Sequence, residues 1–506
     1  MRTSAAGWGR GLLAVLLAAA VLRTLPWWSP NAFFGVLEYD DGVYYAAARL
    51  LLGGELPYRD FVIVHPPVTS LALLPSAAVG SVLGDPAGMA SARVLILLVA
   101  LANTCLVHRL ALRLPLPPER SRAAALVAAA FYAFMPNTVM AEHTVLLEPP
   151  VTLACLLGTL ALTRAGRPSS RVAFAAGVAY AGGLGVKVFA AAYVVAGALW
   201  VWQRAGARRL LGFAAGLATG FVVLVLPLVV AAPSAAWHDV VVTQLSRPEN
   251  TGVDQGVSRF ASMLGLGYLT GVPGVLVAAG LLAGAAAGVA ARGPVRQHVA
   301  WFWAVSLAPS VVAIQTAPTF FLHYGAFLAP GLAMMTALCL FGPGDRLRWL
   351  RGAVALGVVV AFVLGTGSDL LDRRSQADLE DVARQVPAGS CVYYDAVSLA
   401  VAADVFTAPS ESCPGWIDGR GVALTQNADW PRGQDFYPEG FVADARWQAE
   451  TVAQMRYADF LLLRSSPADF PEWTPATRAF VLARFDLAWR SEPGDVHVEL
   501  WRRRAS

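Results

Sequence analysis

Apolar stretches of about twenty residues, separated by short polar turns, recur through the first roughly 365 positions of the chain. A run of that length with few charges predicts a helix that crosses a bilayer. About eleven are expected, near 8–28, 88–114, 123–141, 149–164, 172–186, 188–202, 210–232, 266–291, 299–317, 323–341 and 352–368. The fifth and sixth are shorter than the rest and meet at Lys187. The pattern changes near Asp369, where polar and apolar residues mix and turn signals appear at Pro387-Ala388-Gly389 and Pro493-Gly494-Asp495. Beyond it, 372–386 reads as an amphipathic helix, Cys391–Tyr394 and Tyr457–Leu463 as strands, and 475–486 as a helix. Leu487–Arg490 with Val496–Trp501 would make a terminal hairpin. The predicted fold class is an α-helical polytopic membrane protein over 1–368, followed by a small α/β domain over 369–506.

Composition agrees: 57% of residues are hydrophobic, only 14% are charged, and the mean hydropathy is +0.55. These values exclude an ordinary soluble globular protein. Arginine placement then sets the orientation. Arg2 and Arg10 precede the first span, and every second loop is basic: Arg109, Arg113, Arg120 and Arg122, then Arg164, Arg167 and Arg171, then Arg204, Arg208 and Arg209. Arg292 with Arg296, and Arg346, Arg348 and Arg351, continue the series. Basic loops stay cytoplasmic, so Asp40, Asp41, Asp60, Asp85, Glu142, Glu148, Asp239 and Glu249 are expected outside. An odd number of spans puts the C-terminal segment outside too, in a multi-pass protein of the plasma membrane. The net charge of +4 is mostly the cytoplasmic rim, which argues against a nucleic-acid partner. Arg10 and the apolar run after it look like a signal peptide, but the run continues to Pro26, Trp27 and Trp28. That aromatic boundary favours an uncleaved first span.

The candidate chemistry lies on the outer side. Asp40 and Asp41 are adjacent carboxylates just past the first span. Two like charges there must be solvated, paired or metal-bound. Such a pair can take a proton from a hydroxyl nucleophile or hold a divalent cation; the plainer alternative is a solvated acidic loop. Lys187 is the single lysine among 38 Lys plus Arg residues, in Gly182-Gly183-Leu184-Gly185-Val186-Lys187. A buried ammonium there needs an anion, for which a lipid phosphate is suited, or it snorkels to the interface. Cys105, Cys155 and Cys339 fall in apolar spans, whereas Cys391 and Cys413 lie in an oxidising compartment and could form a disulfide. Trp416, Trp430, Tyr437 and Trp447 could stack on sugars, although core packing is the commoner use of such rings.

Taken in order, these elements resemble the GT-C glycosyltransferases, the polyprenyl-phosphate-sugar-dependent enzymes that include protein O-mannosyltransferases and the aminoarabinose transferases of lipid A. Asp40-Asp41 with Tyr45, Arg49 and His65-Pro66-Pro67 is similar to their first outer loop. Leu147-Glu148-Pro149 is similar to their second acidic loop, and Gly183-Leu184-Gly185-Val186-Lys187 to their glycine–lysine turn. His323-Tyr324 with Pro330 resembles an Arg-Tyr helix of the family, with histidine in place of arginine. The resemblance implies a sugar donor on polyprenyl phosphate and an extracytoplasmic glycan, lipid or protein acceptor at the bilayer surface. Asp40 would be the base, with Asp41 as a second catalytic carboxylate beside it, and transfer would invert the anomeric centre. Lys187, His65, Arg49, His323 and Tyr324 would serve the donor phosphate. Asp41, Glu148 and Tyr45 would support substrate or, for the carboxylates, a divalent cation (Mg, Mn or Ca). The sugar, mannose or a pentose such as arabinofuranose, stays open.

Two other classes share the polytopic pattern. A secondary transporter would carry ionisable residues near the midplane and broken helices at repeat-related positions, whereas the acids here cluster at outer helix ends. A non-enzymatic envelope scaffold would leave those acids merely solvated.

Overall fold

The computed structural model describes residues 5–164, 166–248, 256–267, 299–342, 355, 358–360, 362–367, 375–426, 439–493 and 496–505. The span expected near 266–291 lies almost wholly outside the described residues, as do Arg292, Arg296, Arg346, Arg348, Arg351, Trp430 and Tyr437. Among the described residues, six helices are long and apolar enough to cross a membrane, or seven if one bent pair is a single span. Eleven were expected, and much of the shortfall is a matter of length. Glu148–Leu162 and Ser170–Leu184 have 15 residues each. At 1.5 Å per residue each is about 22 Å long, short of a hydrocarbon core of about 30 Å. Val358–Gly367, in the last expected span, is also a shorter apolar helix.

The N-terminal elements used below are α1 (Ala5–Thr24), α2 (Tyr39–Leu52), α3 (Asp85–Ala111), α4 (Pro118–Phe134), α5 (Pro136–Glu142), α6 (Glu148–Leu162) and α7 (Ser170–Leu184). α4 and α5 are the bent pair, 60° apart. Proline at 136 keeps Met135 out of the helical region, at φ −60° and ψ 124°, and then starts α5 as its first residue. The stretch after the first span, read as a loop, is instead largely helical. α2 begins one residue before the aspartates, and a second helix runs from Leu74 to Leu83. Two carboxylates in the first turn of α2 sit favourably at its positive end.

The C-terminal segment forms a four-stranded sheet of β1 (Val392–Tyr394), β2 (Phe460–Leu463), β3 (Phe485–Arg490) and β4 (Glu499–Arg503), in the order β1-β2-β4-β3. β1 runs parallel to β2, and β4 is antiparallel to β2 and β3. The expected hairpin is present, with a bulge between Leu487 and Trp489. All four β2 residues are buried. Leu461 and Leu463 join a core with Trp447, Trp473 and Phe485, while Phe460 and Leu462 join another with Val382, Leu399 and Leu500. Side chains two apart share a face, so β2 is a central strand covered on both sides. Trp447 is thus a core residue, edge-on to Phe441 at 4.8 Å. The amphipathic helix expected over 372–386 is confined to Glu380–Gln385, with 375–379 non-helical and 372–374 outside the described residues. Cys391, next to β1, and Cys413 form a disulfide with Cα atoms 5.3 Å apart.

Two further C-terminal helices matter for the site, α8 (Val397–Ala402) and α9 (Gly419–Gln426). α8 lies against α2, and its Val397 and Val401 belong to the same core cluster as the membrane helices. The contact depends on glycine: a Cβ at Gly42 would stand 2.4 Å from Ser398 Cα, a backbone atom with nowhere to move.

Candidate active site

A cavity of about 590 Å³ opens between the start of α2, the helix ends nearest it and the C-terminal segment. Consecutive helical residues point about 100° apart, and this separates the two aspartates. Asp40 lines the cavity, half-buried, and the hydrogen bond shown to its carboxylate is a long one, 3.5 Å from Tyr44 Oη. Asp41 faces the bundle and is fully buried. Its Oδ2 accepts from Arg93 Nη2 at 2.8 Å and from Thr144 Oγ1 at 2.8 Å. Arg93, from α3, also donates to the carbonyls of Ala32, Phe33 and Gly35. Asp41 and Arg93 therefore fasten the chain entering α2, and the expectation of Asp41 as a carboxylate at the reacting atoms does not fit this placement.

His65, Glu148, Lys187, His323 and Tyr324 all line the same cavity. They come from four separate stretches, brought together by hydrogen bonds to the backbone: Val68 N–H, next to the His65-Pro66-Pro67 turn, donates to Gly185 O at 2.9 Å. Asn137 Nδ2 donates to Leu322 O at 2.6 Å and fixes the turn carrying His323 and Tyr324. Lys187 is buried, 2.5 Å from Glu148 Oε1, and its ammonium lies 3.9 Å from the centre of the Tyr324 ring. Tyr324 Oη in turn stands 3.5 Å from Nη1 of Arg247. Arg247 is a cavity residue the motifs did not mark, and its buried Nε has no partner among the described residues. Burial, with Lys187, Arg247 and His323 nearby, pushes His65 well below the ordinary histidine pKa. It can donate an N–H to an anion but is not the cation expected of it.

Arg49 and Tyr45 are not among the cavity's lining residues. Both reach Asp85 Oδ1, at 2.7 and 2.8 Å, and tie α2 to the start of α3. The other residues that sequence did not mark are Tyr39, Asp418 and Arg420. All three line the cavity, the last two from the C-terminal segment. Asp418 Oδ1 accepts from Gly421 N–H at 2.8 Å and from Tyr39 Oη at 3.3 Å. The Arg420 guanidinium packs 4.6 Å over the Tyr39 ring.

A divalent cation on Asp41 and Glu148 would have to displace Arg93 and Lys187 from those carboxylates. Among the described residues no group of three His, Cys, Asp or Glu is arranged to hold a metal. The donor set does not fit, and no step below is routed through a metal.

Residues 86–241 match the family model described as dolichyl-phosphate-mannose-protein mannosyltransferase. No curated protein matches the chain by sequence. Among solved structures it is similar to ArnT from Cupriavidus metallidurans bound to undecaprenyl phosphate, with 14% identity, TM-score 0.60 and 99% of both chains covered. The arabinofuranosyltransferase AftD from Mycobacteria aligns at 15% identity and TM-score 0.53, over 98% of this chain and 40% of that one. An oligosaccharyltransferase of Archaeoglobus fulgidus in complex with Zn and sulfate aligns at 10% identity and TM-score 0.52, over 96% of this chain and 72% of that one. The chain therefore shares its fold with the GT-C glycosyltransferases that its motifs resemble, and carries a mannosyltransferase family pattern over residues 86–241.

Proposed function

We propose that the chain is a multi-pass membrane glycosyltransferase that moves a sugar from a polyprenyl-phosphate donor to a hydroxyl acceptor outside the cytoplasm. The observation that carries this reading is one cavity holding both a lightly engaged carboxylate, Asp40, and a cation-rich cluster of Lys187, Tyr324 and Arg247. The acceptor O–H gives its proton to Asp40 as its oxygen bonds to the anomeric carbon. The bond from that carbon to the phosphate oxygen breaks, and its electron pair leaves on the phosphate. A single displacement inverts the anomeric centre. Lys187 and Arg247 stabilise the developing phosphate charge, while neutral His65 and the Tyr324 hydroxyl offer hydrogen bonds. The test is to incubate membranes with polyprenyl-phosphate mannose, arabinofuranose and related donors and analyse new products by mass. No glycosylated product from any donor would sink the reading.

Arg247→Gln separates phosphate binding from structure, because among the described residues Arg247 makes one long hydrogen bond, to Tyr324. A lost charge-assisted contact costs about 1.5–3 kcal/mol, so affinity for undecaprenyl phosphate is expected to fall roughly 10- to 100-fold with folding unchanged. Lys187→Met alone would strand Glu148 in the interior. The informative variant is Lys187→Met with Glu148→Gln, which removes both charges. Titration with undecaprenyl phosphate reads both proteins, and unchanged affinity would return Lys187 and Arg247 to purely structural pairing.

A further inference from the structure

The C-terminal segment contributes a second carboxylate to the cavity. Asp418 is 8% exposed and lines the cavity with Asp40. Oδ1 is held by Gly421 N–H and Tyr39 Oη, and no described residue engages Oδ2. Glycine at 421 gives that oxygen its room, since a Cβ there would lie 2.2 Å from Oδ2. The cavity thus carries both signs: Lys187 and Arg247 suit a phosphate, while Asp40, Asp418 and Glu38 bring carboxylates beside Tyr39, with Asp418 close enough to Asp40 and Arg247 to feel both charges. Arg420, in the same cavity, is already packed over Tyr39 and 3.4 Å from Glu472.

We propose that Asp418 is a positioning residue for the acceptor, whose hydroxyl it holds toward Asp40, and that the acceptor is an uncharged glycan rather than an anionic one. This rests on the glycosyltransferase reading above. A carboxylate oxygen beside an aromatic ring matches vicinal hydroxyls on a sugar with an apolar face. A second negative charge brought against Asp40 and Asp418 would be repelled. Burial, with Asp40 adding to it, raises the Asp418 carboxyl to about 6. The groups facing it are Asp40 and Tyr39 from α2, Arg247, and Arg420 from the first turn of α9. Above that pH Asp418 is ionised and accepts strongly; as pH falls through it, that capacity fades.

The experiment measures binding before transfer. Full-length protein loaded with undecaprenyl phosphate is titrated with octyl β-mannopyranoside, octyl β-glucuronide and an acetylated threonine peptide. Wild type is expected to prefer the neutral glycoside. Asp418→Asn keeps the oxygen that caps Gly421 but not the charge, so neutral-glycoside affinity should drop about tenfold. It should also narrow the gap to the glucuronide and flatten the fall in affinity below about pH 6, with undecaprenyl-phosphate affinity unchanged. In transfer assays the same variant should raise KM for acceptor far more than it lowers kcat. Wild-type glycoside affinity in Asp418→Asn would overturn the proposal. So would equal binding of glucuronide and mannopyranoside by wild type, or a preference for the peptide. A wild-type protein that binds lipid phosphate and glycoside as described yet transfers nothing would count against the glycosyltransferase reading alone.

Discussion

Asp40→Asn is expected to lower turnover by about two to four orders of magnitude, the usual share of a general base. The amide keeps the size and the 3.5 Å contact with Tyr44 but cannot take the acceptor proton at neutral pH. Asp40 makes no ion pair among the described residues, so folding should be little affected. Donor affinity should hold, which makes the loss one of the chemical step rather than of binding. Single-turnover kinetics with saturating donor, alongside undecaprenyl-phosphate titration, read the two quantities separately. A fully active Asp40→Asn protein would remove Asp40 from the mechanism.

Asp41→Ala should fail differently. It leaves the Arg93 guanidinium, itself fully buried, without its carboxylate. Breaking a buried pair by removing one partner costs about 3–5 kcal/mol, so thermal unfolding in detergent should drop markedly and yield should suffer. Asp41→Asn, which keeps an oxygen for Arg93 and Thr144, should lose less stability. If Asp41→Ala keeps wild-type stability and loses only turnover, Asp41 belongs to the chemistry and the division of the two aspartates is wrong.

That division shows where sequence reading stops. The longer apolar spans were legible from the length of their apolar runs, and β1, β2 and the terminal hairpin from a local repeat of two residues. Asp40, His65, Glu148, Lys187, His323 and Tyr324 were legible as a set of outer-side motifs, and the structure puts them on one cavity. What each one touches was not legible. Asp40 and Asp41 look alike until the region is known to be a helix, and then one residue step decides between cavity and core. Arg49 and Tyr45 fit the same motif but their shared partner is Asp85, some forty residues away in the chain. Arg247 carried one available signal, because like Arg59 it is basic on the expected outer side, against the charge rule. Asp418 and Arg420 carried none: they meet Tyr39 across roughly 380 residues of chain, a contact no local pattern encodes.

The seating of Ser398 against Gly42 also orders events during synthesis. α2 is among the first elements to leave the ribosome, while Ser398 and Asp418 follow roughly 350 or more residues later. At about 5–20 residues per second, the interval is on the order of 20–70 s. Throughout it, the face of α2 meant for α8 is uncovered and Asp40 lacks its opposite wall. The cavity is therefore incomplete until the final fifth of the chain has been made and folded back onto the helix made first. Any factor that delays folding of that last portion would leave the earlier helices with the cavity unclosed.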